Sequence, residues 1–184
     1  MKPLFILCVT LAGGLLQSAW AEKTDRNKPM HIESDSMRYE DAQQTTVFSG
    51  KVVATKGSIV IRGAKVEVRQ DPEGNQYGTV TGTPKERAFF RQKRDGVDEF
   101  IEGEAETLIY NGKADTVRFE INAVMRRYRG STLADEVTGA IIIYENSTEK
   151  FSVDGSATGA AGGRVRAVIT PKPESNSPAT SKSP

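Results

Sequence analysis

The sequence holds one cysteine, Cys8, one histidine, His31, and one tryptophan, Trp20, and both Cys8 and Trp20 fall among the first 21 residues. Everything beyond that segment is free of thiols, so no disulfide can staple it, and the fold has to rest on burial and strand pairing. His31 stands between Met30 and Ile32; a strand would turn it outward, and no nucleophile or second metal ligand accompanies it in sequence. The glycine-rich run Gly155 to Gly163 lacks the Gly-Lys-Ser/Thr ending of a phosphate loop. No cofactor, metal or catalytic constellation is therefore expected, and the chain does not read as an enzyme. Excess charge is missing as well. Lys2 is the only charged residue of the first 21, and without it the Lys+Arg total of 25 falls level with the 24 Asp+Glu. A neutral chain has no overall field with which to capture nucleic acid.

The one long apolar run, Leu4 to Leu16, is too short to cross a bilayer, which takes about 17 to 25 residues. With Lys2 before it and Ala19-Trp20-Ala21 after it, the run reads as a secretory signal peptide over residues 1–21, cut after Ala21. Residues 22–28 are polar. Residues 29–170 fit one domain, and residues 171–184, rich in proline and serine, read as a disordered tail.

Short runs of strict alternation make up the domain. In Thr116 to Ala123, Val117, Phe119, Ile121 and Ala123 oppose Thr116, Arg118, Glu120 and Asn122. Phe48, Gly50, Val52 and Ala54 oppose Val47, Ser49, Lys51 and Val53; Val66 and Val68 oppose Lys65, Glu67 and Arg69. The same pattern recurs at Phe151 and Val153 and at Val165, Ala167 and Ile169. Turn residues separate the runs at Lys56-Gly57, Asp71 to Asn75, Asp95-Gly96, Asn111-Gly112 and Asp154-Gly155. Ala88 to Lys93, then Arg94-Asp95-Gly96-Val97, then Asp98 to Ala105 is the strongest hairpin. The fold class is all-β, built from many short antiparallel strands. The neighbours Phe89/Phe90 and Phe100/Ile101 leave their own faces open, because two large apolar residues in a row defeat a period of two.

A faint repeat runs through Tyr39 to Gly50, Tyr110 to Ile121 and Tyr144 to Gly155: a tyrosine, a polar turn, then a strand carrying phenylalanine. The offset from Tyr to Phe is nine residues in the first two copies and seven in the third. Glu102, Glu104 and Glu106 alternate along one strand and suit a solvated face better than a carboxylate pair for glycoside hydrolysis. Met125 to Arg129, with Arg87, Arg91, Lys93 and Arg94, is locally basic. Arginine forks at a cleft rim would bind phosphates or sugar acids, and ordinary solvated strand charge is the other reading.

Pro29 to Val68, Thr81 to Phe90 and Glu99 to Val117 together resemble the LptA family of periplasmic lipopolysaccharide transport proteins of Gram-negative bacteria. The likeness is densest at Ile32-Glu33-Ser34-Asp35, Phe48-Ser49-Gly50 with Val52, and Ile101-Glu102-Gly103. This resemblance implies a twisted, open β-jelly roll whose hydrophobic groove takes the acyl chains of lipid A. It also implies head-to-tail stacking into a homo-oligomer and onto related domains of the inner-membrane LptC and outer-membrane LptD types. Met30 and Ile32 match family positions that face lipid near the upstream docking end. The candidate lipid-contacting residues are Met30, Ile32, Phe48, Val52, Ile61, Val66, Val68, Phe90, Ile101, Leu108, Val117, Phe119, Ile121, Leu133, Ile143 and Phe151. An exported enzyme acting on polysaccharide, a packed periplasmic scaffold and a membrane-anchored LptC-like relative are the competing readings.

Overall fold

The computed structural model describes Asp25, residues 28–156 and residues 163–171. The signal peptide, most of the polar segment after it, most of the glycine-rich run and nearly all of the tail lie outside the described residues.

Among the described residues twelve strands follow one another: β1 (Met30–Glu33), β2 (Ser36–Glu40), β3 (Thr45–Lys56), β4 (Ile59–Gln70), β5 (Gln76–Thr81), β6 (Ala88–Lys93), β7 (Glu99–Ala105), β8 (Thr107–Asn111), β9 (Thr116–Arg129), β10 (Thr132–Glu145), β11 (Lys150–Asp154) and β12 (Arg166–Ile169). Every pairing is antiparallel, as the short connections require. The expected hairpin over residues 88–105 is β6 and β7, with Ala88 opposite Ala105 and Lys93 opposite Phe100.

Four strands are long enough to serve two partners along one edge. β3 pairs β2 and then β1, β4 pairs β6 and then β5, β9 pairs β8 and then β7, and β10 pairs β12 and then β11. The sheet thus divides into two leaves. One carries β1, β6, β7 and β12, the other β2, β5, β8 and β11, and the four long strands pass from leaf to leaf. The crossings are local breaks in the ladder. β3 shifts register between Ser49 and Val52, where Gly50 and Lys51 have φ of 84° and 45°. In β9, Ile121 and Asn122 have φ of 65° and 55°, and β10 shifts between Gly139 and Ile141. A bulge of this kind bends a strand and sharpens its twist. Gly50 meets this need without a side chain; a Cβ there would also collide with Asp35.

The repeat has a simple structural origin. Tyr39 pairs with Thr46, Tyr110 with Val117 and Tyr144 with Phe151, a separation of seven residues in all three hairpins. Phenylalanine takes the paired position in the third copy and a position two residues further on in the first two, which lies on the same face. The unequal offsets therefore describe one hairpin register.

The inner faces of the leaves meet in a single core. Val52, Val66, Val80, Ala88, Phe90, Leu108, Phe119, Met125, Ile142 and Tyr144 are among its buried members. At its centre Phe90 reaches from the first leaf to Phe119 and Tyr144 of the second, edge to face with Phe119 at 5.9 Å and tilted against Tyr144 at 6.4 Å. Gly103 lies beneath the Phe119 ring, in space that a Cβ would share with the ring carbons.

Candidate functional site

The alternation that builds the strands lines the interior with apolar groups, and those groups fill most of it. Two recesses stand out among the described residues. The first, about 80 Å³, opens among the β3–β4, β6–β7, β8–β9 and β10–β11 turns. Met30, Ile59, Ile61, Phe90, Leu108 and Val117 line its depth, and Lys56, Lys93, Asp95, Asp115 and Glu149 stand around it. The second, about 250 Å³, lies between β7, β9, β10, β11 and β12 and is lined by Ile101, Met125, Val137, Phe151 and Ile169 with Arg94, Arg126, Arg127, Asp135 and Glu149. An apolar cavity of about 150 Å³ accommodates one benzene ring, so the first recess holds less than a ring unless side chains part. Phe90, Phe119 and Tyr144 meet across the middle of the apolar interior, and both recesses are cut into its lining.

Most of the candidate lipid contacts point inward. Val52, Val66, Phe90, Ile101, Leu108, Val117 and Phe119 are buried. Ile32, Phe48, Ile61 and Val68 are half-buried against the same core, and Met30 lines the first recess. The open pairs are resolved as well: Phe89 and Phe100 face outward, stacked under the guanidinium groups of Arg62 and Arg91, each 4.1 Å from the ring centre.

Four candidates do not sit in the core. Ile121 is 49% exposed because β9 bends at that residue and turns its side chain out of the alternation. Leu133, 44% exposed, pairs with outward Tyr128 just before a register shift in β10. Ile143 pairs with Arg118, so it shares the outer face; its neighbours Ile142 and Tyr144, paired with Phe119 and Val117, are the buried ones. Three consecutive isoleucines concealed that choice from the sequence. Phe151 faces inward opposite Tyr144, yet it lies on an edge strand and remains 49% exposed at the second recess. The positions that sequence reasoning missed, Val80, Met125, Val137, Ile142 and Tyr144, are buried. The Tyr-to-Phe repeat marks Tyr144, and cross-strand register marks Met125 and Val137 as a pair.

The locally basic segments carry their charge in two ways. On the outer face Arg87 and Arg126 share Glu104, Arg126 also holds Glu136, and Arg91 holds Glu102. Glu102 and Glu104 are therefore an ion-paired outer strand face, while Glu106 lies just past β7 and accepts from Asn122 Nδ2. Inward, at the end bounded by the β6–β7 and β10–β11 turns, Arg94 binds Glu99 and Glu149, while Arg127 and Arg129 converge on Glu99 and Arg127 also binds Asp135. Burial works against the Arg94 cation, and hydrogen bonds to Glu149 and Glu99 outweigh it, so its pKa lies above arginine's ordinary value. Burial pushes the Tyr144 hydroxyl up to about 12. Gln92, on the inner face of β6, keeps a buried Oε1 with no hydrogen-bond partner among the described residues, and its side chain borders the first recess. Asn146 Nδ2 donates to Asp115 Oδ1 at 3.0 Å.

Residues 31–150 match the family described as LptA/(LptD N-terminal domain) LPS transport protein. The lipopolysaccharide export system protein LptA of Escherichia coli is 29% identical over 169 residues, covering 90% of this chain and 85% of that protein. The LptA of Haemophilus influenzae is 28% identical over 173 residues, covering 92% and 91%. The crystal structure of LptH, the LptA-homologous periplasmic component of the lipopolysaccharide transport device of Pseudomonas aeruginosa, superposes with a TM-score of 0.70 at 27% identity, over 80% of this chain and 99% of that one.

Proposed function

The chain belongs to the LptA/LptD N-terminal-domain family of lipopolysaccharide transport proteins, and from that membership we propose that it carries lipopolysaccharide between the two membranes of a Gram-negative envelope. The observation that carries this reading is a rolled sheet with an inner face that is apolar throughout its middle and opens at two recesses. Acyl chains enter by parting the leaves. Each buried methylene gains roughly 0.8 kcal/mol, so about ten of them gain on the order of 8 kcal/mol relative to water. That exceeds the modest strain of repacking a few side chains, which is about 1 to 3 kcal/mol. Transfer between like units is close to isoenergetic, so direction comes from an energy source outside this chain.

The relatives are transport proteins rather than enzymes, and the ion-paired glutamates and outward His31 suit that role. The chain works in the periplasm, with residues 1–21 removed as a signal peptide, residues 29–170 as the carrier domain and residues 171–184 as a tail. Its free sheet edges support stacking. Among the described residues β1 and β2, which cover one edge of β3, leave their own outer edges unpaired, and β11 and β12 do the same beyond β10, with Val168 65% and Ile169 75% exposed. Head-to-tail contact with another copy, or with LptC-like and LptD-like domains, pairs these edges and continues the interior from unit to unit.

Photocrosslinking tests the reading. A photoreactive residue at Ile32, Phe48 or Ile61 is expected to label lipopolysaccharide, and one at Lys65 or Arg118 is not. Equal labelling from both faces would sink the carrier reading.

A further inference from the structure

Glu149 lines both recesses. It stands on the turn into β11 at a φ of 54°, as Gln44 and Asp115 stand at 47° and 53° at the same place in the other two Tyr hairpins. Its partner is Arg94, on the β6–β7 turn of the opposite leaf, whose Nε and Nη2 donate to Glu149 Oε2 at 3.1 and 2.7 Å. This bridge joins the leaves across the interior at the place where the recesses adjoin. Around it, Arg94, Arg127 and Arg129 face Glu99, Asp135 and Glu149. Three cations balance three carboxylates with Glu149 in place; with Glu149 withdrawn, three cations face two.

We propose that Glu149 is the chain's own occupant of an anion site on Arg94, and that the phosphate of an acyl-chain amphiphile displaces it, joining the two recesses into one channel for the chain. The proposal rests on the carrier reading and adds the head group that the interior selects. A neutral head would leave the partly buried cluster with an uncompensated positive charge, which is costly in a shielded site. A phosphate restores the balance and matches the fork of the guanidinium, as the carboxylate does now. Glu149 can be exchanged without opening the core because its side chain is 27% exposed. The apolar half of the ligand is needed too, since the space made available lies among Ile61, Leu108, Ile101, Met125 and Val137.

The test measures binding to the full chain of an acylglycerol phosphate, of the monoacylglycerol with the same chain, and of inorganic phosphate. The phosphate-headed probe is expected to bind more tightly than the neutral one. Glu149→Gln should tighten the phosphate-headed probe about tenfold, the worth of one charge-assisted hydrogen bond, and should move the neutral probe less. Arg94→Gln should erase the difference between the two probes, while Arg94→Lys, which keeps a cation in case the neutral variant folds poorly, should retain part of it. Inorganic phosphate should not compete at concentrations where the phosphate-headed probe saturates. Equal binding of the two probes by the unaltered chain, a preference that survives Arg94→Gln, or competition by inorganic phosphate at matching concentration would each overturn the proposal. If the probes bind but ignore both variants, this inference fails and the carrier reading stands; if neither probe binds any form, both fail.

Discussion

In the middle of the roll, Phe90, Phe119 and Tyr144 interlock with between 0% and 2% of their surface exposed, whereas at the end held by Arg94 and Glu149 the inward positions are taken by partly exposed charge. Both regions join the same two leaves. The aromatic contact gains by excluding water, so it weakens only if the leaves separate altogether. The ionic contact is an exchangeable hydrogen-bonded pair, and a competing anion can replace one partner without exposing the core. A carrier needs both behaviours: a seam that keeps the sheet rolled and a mouth that yields.

The contrast can be broken most forcefully at the aromatic seam. Phe119→Ala is expected to lower stability to urea by about 3 to 5 kcal/mol, the usual cost of emptying a packed aromatic site; a loss of a few tenths would mean that the middle is no plug. Next in size is Gly103→Ala, which drives a methyl group into the Phe119 ring and should cost about 1 to 3 kcal/mol by overpacking. A smaller ring site should relieve it, so Phe119→Leu in the Gly103→Ala background is expected to cost less than the two changes summed.

At the charged end the same measurement should respond weakly. Arg94→Gln is expected to cost about 1 kcal/mol, because Glu99 keeps Arg127 and Arg129 and Glu149 stays partly exposed to water. Of similar size and opposite sign is Ile121→Asn, where relieving a β-branched residue at φ 65° should gain about 1 kcal/mol. One effect is confined to alkaline solution. The Tyr144 pKa is raised from 10.0 to about 12 on folding, so the unfolded chain ionises first and stability falls as pH rises from 10 towards 12. Tyr144→Phe removes that slope, which unfolding curves across this range would register, with little change at neutral pH.

Much of this was legible in the order of residues. Alternation in β3, β4 and β9 marked Val52, Val66, Val117 and Phe119 as inward, and the turn residues between 94 and 97 marked the β6–β7 hairpin. Reading failed where a strand changes leaf. Ile121 continues a faultless alternation on paper, yet the bend at Ile121-Asn122 turns it to solvent. It failed again at Ile141-Ile142-Ile143, where no polar residue breaks the tie. The arginines posed a different difficulty: Arg91 and Arg94 are close in sequence, but one stacks on an outer aromatic and the other bridges the leaves.

The sequence by itself determined an all-β chain, the faces of its regular strands and the repeated Tyr-to-Phe hairpin, because a period of two and the turn residues act over a few neighbours. Only the tertiary structure decided where the long strands bend, that aromatic rings close the middle, and that Glu149 meets Arg94 across 55 positions of chain. Those outcomes depend on contacts between segments far apart in sequence, and no local pattern encodes which of two opposed surfaces will close on the other.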